Sequence, residues 1–212
     1  MMTPEREARI REVCARRQPD LCVILENVHD PHNISAVLRS CDAVGVQSVH
    51  VVYTDPDLTE ERLLLGRKSS ASAWKWVDVY YHEDLATCVE TVRGQCDRIL
   101  AAHVGEAAQS LYETDLTVPT ALLFGNERDG VSAEALACAD GQIFIPQMGM
   151  IRSLNISVAC AVCLYEACRQ RGEKGFYQQH PTRTATELEV LVTDFIERHE
   201  TRARRKVIRK KS

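Results

Sequence analysis

At 212 residues the chain suits one large domain with short extensions. A composition of 45% hydrophobic and 26% charged residues supports a packed core, and no run of 18 apolar residues marks a membrane-spanning helix. The net charge of −4 is uneven: residues 198–212 carry eight Lys or Arg against one acid, which leaves the centre strongly acidic, and charge alone fits equally a polyanionic partner for the basic end or a solvated terminus.

Residues 1–20 read as a charged helical extension. They lack the apolar stretch of a secretory signal, so a cytoplasmic protein is expected. The apolar run "LCVILE" (21–26) predicts a buried strand. Residues 33–44 have helical spacing, with Gly45 as the stop. "QSVHVVY" (47–53) predicts a second strand, and residues 56–73 a helix followed by a polar loop. "WKWVDVYY" (74–81) alternates like an edge strand, 83–95 look helical, and "RILAAHV" (98–104) reads as a strand. "PTALLFG" (119–125) is a further buried strand, and a short helix at 132–139 is capped by Ser132. "GQIFIP" (141–146) is a strand, 153–171 a long helix, 172–183 a linker, and 185–209 a helix that turns strongly basic. Strands alternating with helices predict an α/β fold, a mostly parallel sheet with helices on both faces.

Nine cysteines at irregular spacing predict no disulfide framework. Cys160 and Cys163 form a C-x-x-C without a second ligand pair, so they are read as small core residues, and no metal is expected. A sheet of this kind binds ligand at the carboxyl ends of its strands. Three polar loops fall there: "ENVHDPHN" (26–33), "GNERDG" (125–130) and "PQMGMIRSLN" (146–155). No G-x-G-x-x-G follows the first strand, and the chain has no P-loop and no G-x-S-x-G elbow. Dinucleotide, P-loop and serine-hydrolase chemistry are thereby disfavoured.

The segments "RRQPDLCVILENVHDPHNISAVLRSCDAVGV" (16–46), "ALLFGNERDGVSAEALACAD" (121–140) and "IPQMGMIRSLNISVACAVCLYEACRQR" (145–171) resemble the motifs of the SPOUT superfamily of RNA methyltransferases. The likeness is to its SpoU branch, and within it to the tRNA guanosine-18 2′-O-methyltransferases, over about residues 5–175. This resemblance implies a deep trefoil knot, which breaks the usual rule against threaded loops. It also implies S-adenosyl-L-methionine as cofactor, a homodimer, and methylation of a ribose 2′-hydroxyl in tRNA.

Carried onto this sequence, the resemblance makes Arg39, Asn33, Glu127, Ser153 and Asn155 the catalytic candidates. It assigns the cofactor to Ala102, Gly125, Ile145, Met148, Gly149 and Leu154, largely through backbone. The family often has Thr where this chain has Ala102. Arg39 is expected to orient the ribose and stabilise developing alkoxide charge, because a guanidinium stays protonated well above neutral pH. RNA contacts are expected from Arg202, Arg204, Arg205, Lys206, Arg209, Lys210 and Lys211. The expected organisation is an extension at 1–20, the methyltransferase domain at 21–171, and a linker with basic helix at 172–212. The alternatives are the same reaction on ribosomal RNA and a non-catalytic RNA-binding protein. All five catalytic positions are filled, which argues against the latter.

Overall fold

The structure, a computed structural model, describes residues 2–55, 57–59, 73–201 and 208–210. Its centre is strand β1 (Gln18–Glu26), which pairs in parallel with β2 (Val46–Val52) on one side and β6 (Thr120–Phe124) on the other. Leu21 to Leu25 are fully buried, because helices cover both faces of a parallel sheet and leave no polar side for alternation. β3 (Asp78–His82), β4 (Arg98–Ala102), β5 (Gln109–Ser110), β7 (Gly141–Phe144) and β8 (Ile208–Lys210) complete an eight-stranded sheet. The order is β5-β7-β4-β6-β1-β2-β3-β8, and every strand pair is parallel.

One face is covered by α2 (Pro31–Val44), the short α3 (Ala73–Trp76) and α6 (Ile156–Glu173), through Ile34, Leu38 and Cys41 packed with Cys160, Cys163 and Leu164. The other face is covered by α4 (Leu85–Arg93) and α5 (Ala133–Cys138), through Leu85, Cys88, Val92 and Ala135. Each fully buried Leu or Ile contributes roughly 1.5–3 kcal/mol relative to exposure. All nine cysteines are free thiols, and Cys160 and Cys163 lie in the core between α2 and α6. Burial pushes the Cys163 thiol up to about 12, the environment of an inert core residue.

α1 (Pro4–Ala15) and α7 (Ala185–Glu200) pack together through Ile10, Cys14, Leu191, Val192 and Phe195. The N-terminal and C-terminal extensions therefore form one unit. Three buried arginines fasten it and the linker to the sheet. Arg17 binds Asp42 and the Val46 carbonyl, and Arg198 binds Asp78 and Asp194. Arg171, at the end of α6, binds Asp20 at 2.5 Å and the carbonyls of Leu116 and Val118.

Several boundaries differ from the sequence reading. β1 starts at Gln18 rather than Leu21, because buried Arg17 and Gln18 replace the solvated lead-in. Residues 74–81 are not one strand: Ala73–Trp76 is helical and only Asp78–His82 joins the sheet. Trp76 there faces Phe195, ring centroids 5.2 Å apart. The helix expected over 185–209 ends at Glu200, and Ile208–Lys210 instead pair with Tyr80–His82. The edge of β3 offers unpaired backbone groups that a returning segment satisfies. The helix and polar loop expected within 56–73 lie mostly outside the described residues.

Candidate active site

Connections leave β1 and β6 towards opposite sides of the sheet, so the carboxyl ends of these neighbours form a topological switch point. After β1, Asp30 caps α2 by accepting the His32 N–H at 2.8 Å, and Pro31 occupies the first turn. The cap is thus Asp30, and Asn33 sits inside the helix with its side chain free for tertiary contact. After β6, Gly125–Val131 folds back on itself. Asn126 and Gly130 exchange backbone hydrogen bonds, and the Asn126 carboxamide oxygen accepts the N–H groups of Arg128 and Asp129. A Cβ on Gly125 would lie 1.9 Å from the Gly130 carbonyl oxygen, so this glycine is required by the loop's own closure.

The loop projects Glu127 across the gap. Its carboxylate accepts from the Asn33 amide at 2.7 Å and from the backbone N–H groups of His29 at 3.2 Å and Asp30 at 3.3 Å. The Asn33 carbonyl oxygen accepts from the Asn155 amide at 3.1 Å. Asn155 in turn caps α6, accepting from the Ser157 N–H at 2.9 Å and its hydroxyl at 2.6 Å. An acceptor-only carboxylate at one end orients both amides along the relay. Partial burial pushes the Glu127 pKa up, but hydrogen bonds from Asn33, from its own backbone and from His29 and Asp30 bring it below the ordinary value. Three loops far apart in sequence are therefore joined by one chain, Glu127–Asn33–Asn155.

Two clefts share Ala102, Ser153, Leu154 and Ala159 as walls, and Glu127 of the relay lines the second of them. The first, about 140 Å³, also has Ile143, Ile145, Gln147 and Arg152. The second, about 230 Å³, has Phe124, Gly125, Glu127 and Arg128. Apolar walls with a carboxylate and peptide groups at the rim suit a flat heteroaromatic ring joined to a cationic group. A larger cavity, about 650 Å³, lies elsewhere, beside Pro19, Asp78, Glu187 and Asp194. It faces the amino ends of the strands, the wrong end for a ligand of this fold. Among the described residues His50, His82 and Cys88 form a buried group with ligand-type spacing. His50 Nδ1 and His82 Nε2 lie 3.1 Å apart, within hydrogen-bond distance, and burial pushes the Cys88 thiol up to about 12.

The structure brings Asn33, Glu127, Asn155, Ser153, Ala102, Gly125, Ile145 and Leu154 together. Ser153 stays in the loop, since α6 begins only at Ile156. Arg39 is on the exposed side of α2, outside both clefts, and has no ion-pair partner among the described residues. Met148 is 96% exposed and lines neither cleft. A Cβ on Gly149 would meet no protein atom within 4 Å. Of the basic residues, Arg209 and Lys210 lie in β8, whereas Arg202, Arg204, Arg205, Lys206 and Lys211 lie outside the described residues.

Sequence reasoning missed Asn27. It adopts φ 49°, and its side chain binds the Thr54 hydroxyl, the Thr54 N–H and the Asp55 N–H, tying the loop after β2 to the site. An asparagine directly after a strand was its only signal, because asparagine tolerates the left-handed region.

Residues 20–165 match the SpoU rRNA Methylase family. The chain is 48% identical over 180 residues to a tRNA (guanosine(18)-2′-O)-methyltransferase of Thermus thermophilus, covering 84% of this chain and 89% of the relative. The crystal structure of the Aquifex aeolicus TrmH/SpoU tRNA modifying enzyme superposes with a TM-score of 0.77 at 35% identity, covering 92% of this chain and 96% of that one. The AviRb SpoU methyltransferase of Streptomyces viridochromogenes in complex with AdoMet gives a TM-score of 0.60 at 27% identity, over 73% of this chain and 59% of that one. With the three motif loops joined at the switch point of a parallel sheet, the chain belongs to the SpoU methylase family of RNA methyltransferases.

Proposed function

We propose that this chain transfers the methyl group of S-adenosyl-L-methionine to the ribose 2′-hydroxyl of guanosine 18 in the D-loop of tRNA, as a cytoplasmic homodimer. The observation that carries this reading is the Glu127–Asn33–Asn155 relay, which holds the three motif loops around two joined clefts. The name of the Thermus relative supplies the nucleotide. The adjoining of 125–130 and 153–156 along the second cleft supports a trefoil knot at this end of the sheet.

The residues around the clefts fit the cofactor. Ile143, Ile145 and Leu154 provide an apolar slot, and Glu127 provides negative charge beside a sulfonium. When bound, the cofactor supplies a methyl group on positively charged sulfur. The chain's own residues must then place a ribose hydroxyl in line with that methyl and accommodate loss of its proton. Arg39 is accessible on α2, as a residue meeting RNA must be. Its guanidinium orients the ribose and stabilises charge developing on the oxygen. Asn33, held at both ends of its amide, fixes the start of the same helix. Positioning both reactants supplies most of the acceleration.

α6 exposes Val158 and Tyr165, and the loop before it exposes Met148, Met150 and Ile151. Exposed large apolar side chains on these consecutive segments support association with a second copy. The basic tail supports an RNA partner.

The test is methyl transfer from labelled cofactor to tRNA transcripts, with the product mapped by nucleotide. Methylation at guanosine 18, lost on a transcript with 2′-deoxyguanosine there, is the expected result. Transfer to ribosomal RNA alone, or to a different tRNA position, would overturn the assignment.

A further inference from the structure

We infer that Glu26 is a positioning residue for the 125–131 loop, the far half of a reciprocal latch between the two central strands. This rests on reading the cleft beside that loop as the cofactor site. Glu26 is the last residue of β1 and is 2% exposed. Both of its side-chain oxygens are spent on one residue of the neighbouring connection. One accepts the Ser132 backbone N–H at 2.9 Å, and the other accepts the Ser132 hydroxyl at 2.5 Å. Ser132 Oγ meanwhile accepts the Ala135 N–H at 3.1 Å and caps α5. Glu26 therefore anchors the point where the loop after β6 becomes helix.

Glu127 does the converse. It leaves the loop after β6 and holds the backbone where α2 begins after β1. Each central strand thus supplies, at or just beyond its end, a carboxyl group that grips the connection of the other. Residues 128–131 run between the two grips, and Arg128 and Gly130 among them line the second cleft together with Gly125, Asn126 and Glu127. Burying Glu26 in a parallel core is costly unless both oxygens are hydrogen-bonded, and the sheet itself needs no carboxyl group there. Its service is to fix one end of a loop whose other end carries the relay.

Glu26→Gln keeps the volume but replaces two bonds to a carboxyl group with neutral amide ones: its oxygen can accept the Ser132 N–H, while its NH₂ faces the Ser132 hydroxyl, which must then accept instead of donate. The experiment has two arms, both on the full chain. In the first, backbone amide hydrogen exchange is followed without cofactor. Exchange across 125–136 should speed up roughly tenfold in Glu26→Gln, while β2 and α7 are unchanged. In the second, calorimetric affinity for S-adenosyl-L-methionine should fall roughly tenfold. Ser132→Ala, which removes only the hydroxyl contacts, should give a smaller change in the same direction, and Glu26→Gln combined with Ser132→Ala should give less than the sum of the two effects. Unchanged exchange in the 125–136 segment overturns the latch, whatever happens to affinity. Faster exchange throughout the chain also overturns it, as the mark of a general brace. Faster local exchange with unchanged cofactor affinity upholds the latch and instead refutes the reading of the cleft.

Discussion

The two ends of the parallel sheet are fastened by different chemistry. At the amino ends, Arg17, Arg171 and Arg198 are buried against Asp42, Asp20 and Asp78. At the carboxyl ends the fastening is a relay of one carboxylate and two amides, whose carboxylate lines the second cleft. Buried ion pairs hold extensions in place but are expensive to break, because removing one partner strands a charge. Amide relays are cheaper and shorter-ranged, and they leave room for a ligand. The contrast teaches that the charged cluster is structural here, while the site is built from small, weakly polar groups on capped helices. A reader searching for function among buried charges would be led to the wrong end of the molecule.

The contrast breaks most directly at Arg171. Arg171→Ala leaves Asp20 buried without its principal cation and should cost about 3–5 kcal/mol of stability, measured by denaturant unfolding. Affinity for the cofactor, at the other end of the sheet, should hold while the protein remains folded. The Asp20 pKa is pushed up by burial, but the bonds from His180 and Arg171 pull it below its ordinary value. A depressed carboxyl contributes stability that is present above the unfolded value, near 3.9, and is lost as pH falls through the lower folded one. Acid unfolding that starts below about pH 4 in the wild type should therefore be blunted in Asp20→Asn.

At the other end, Arg39→Ala should reduce turnover by about 10²–10³-fold with cofactor affinity and melting temperature nearly unchanged. Arg39→Lys should also be poor, because an ammonium lacks the planar fork. Near-normal turnover in either would remove Arg39 from the chemistry. Asn33→Ala should be milder, lowering turnover about tenfold through loss of both relay bonds. A variant in which Asn33→Ala and Glu127→Ala add independently would contradict the relay, since coupled residues are non-additive.

The smallest effect is expected from the tail. Ending the chain at Glu200 should raise the apparent KM for tRNA and flatten its salt dependence by roughly 0.7–0.9 log units per decade for each lost phosphate contact. Cofactor affinity should be unaffected. Equal salt slopes for the full and shortened chains would make the tail a structural edge strand alone, consistent with Ile208–Lys210 on β3 but not with an RNA role.

Much of the molecule was legible in order. The apolar runs of β1 and β6 announce doubly covered strands, and Gly45, with φ 85°, ends α2 where its lack of a Cβ permits. Where short-range signals compete, the reading erred. The alternation of residues 74–81 suits a strand or a helical turn packed beneath Phe195. The basic run after Glu200 gave no sign that Ile208–Lys210 would seek the edge of β3.

By itself the sequence determined the alternation of elements, the parallel sheet and the three polar loops at its carboxyl ends, because these follow from local hydrophobic spacing and turn chemistry. Only the tertiary structure decided which loop residues meet. Glu127 lies 94 residues from Asn33, and Asn33 lies 122 from Asn155. No local propensity records such pairings, which exist because β6 is laid beside β1 and α6 against α2. The same packing turned Glu26 inward to Ser132 and left Arg39 outward, two side chains that look alike as surface charges in the sequence.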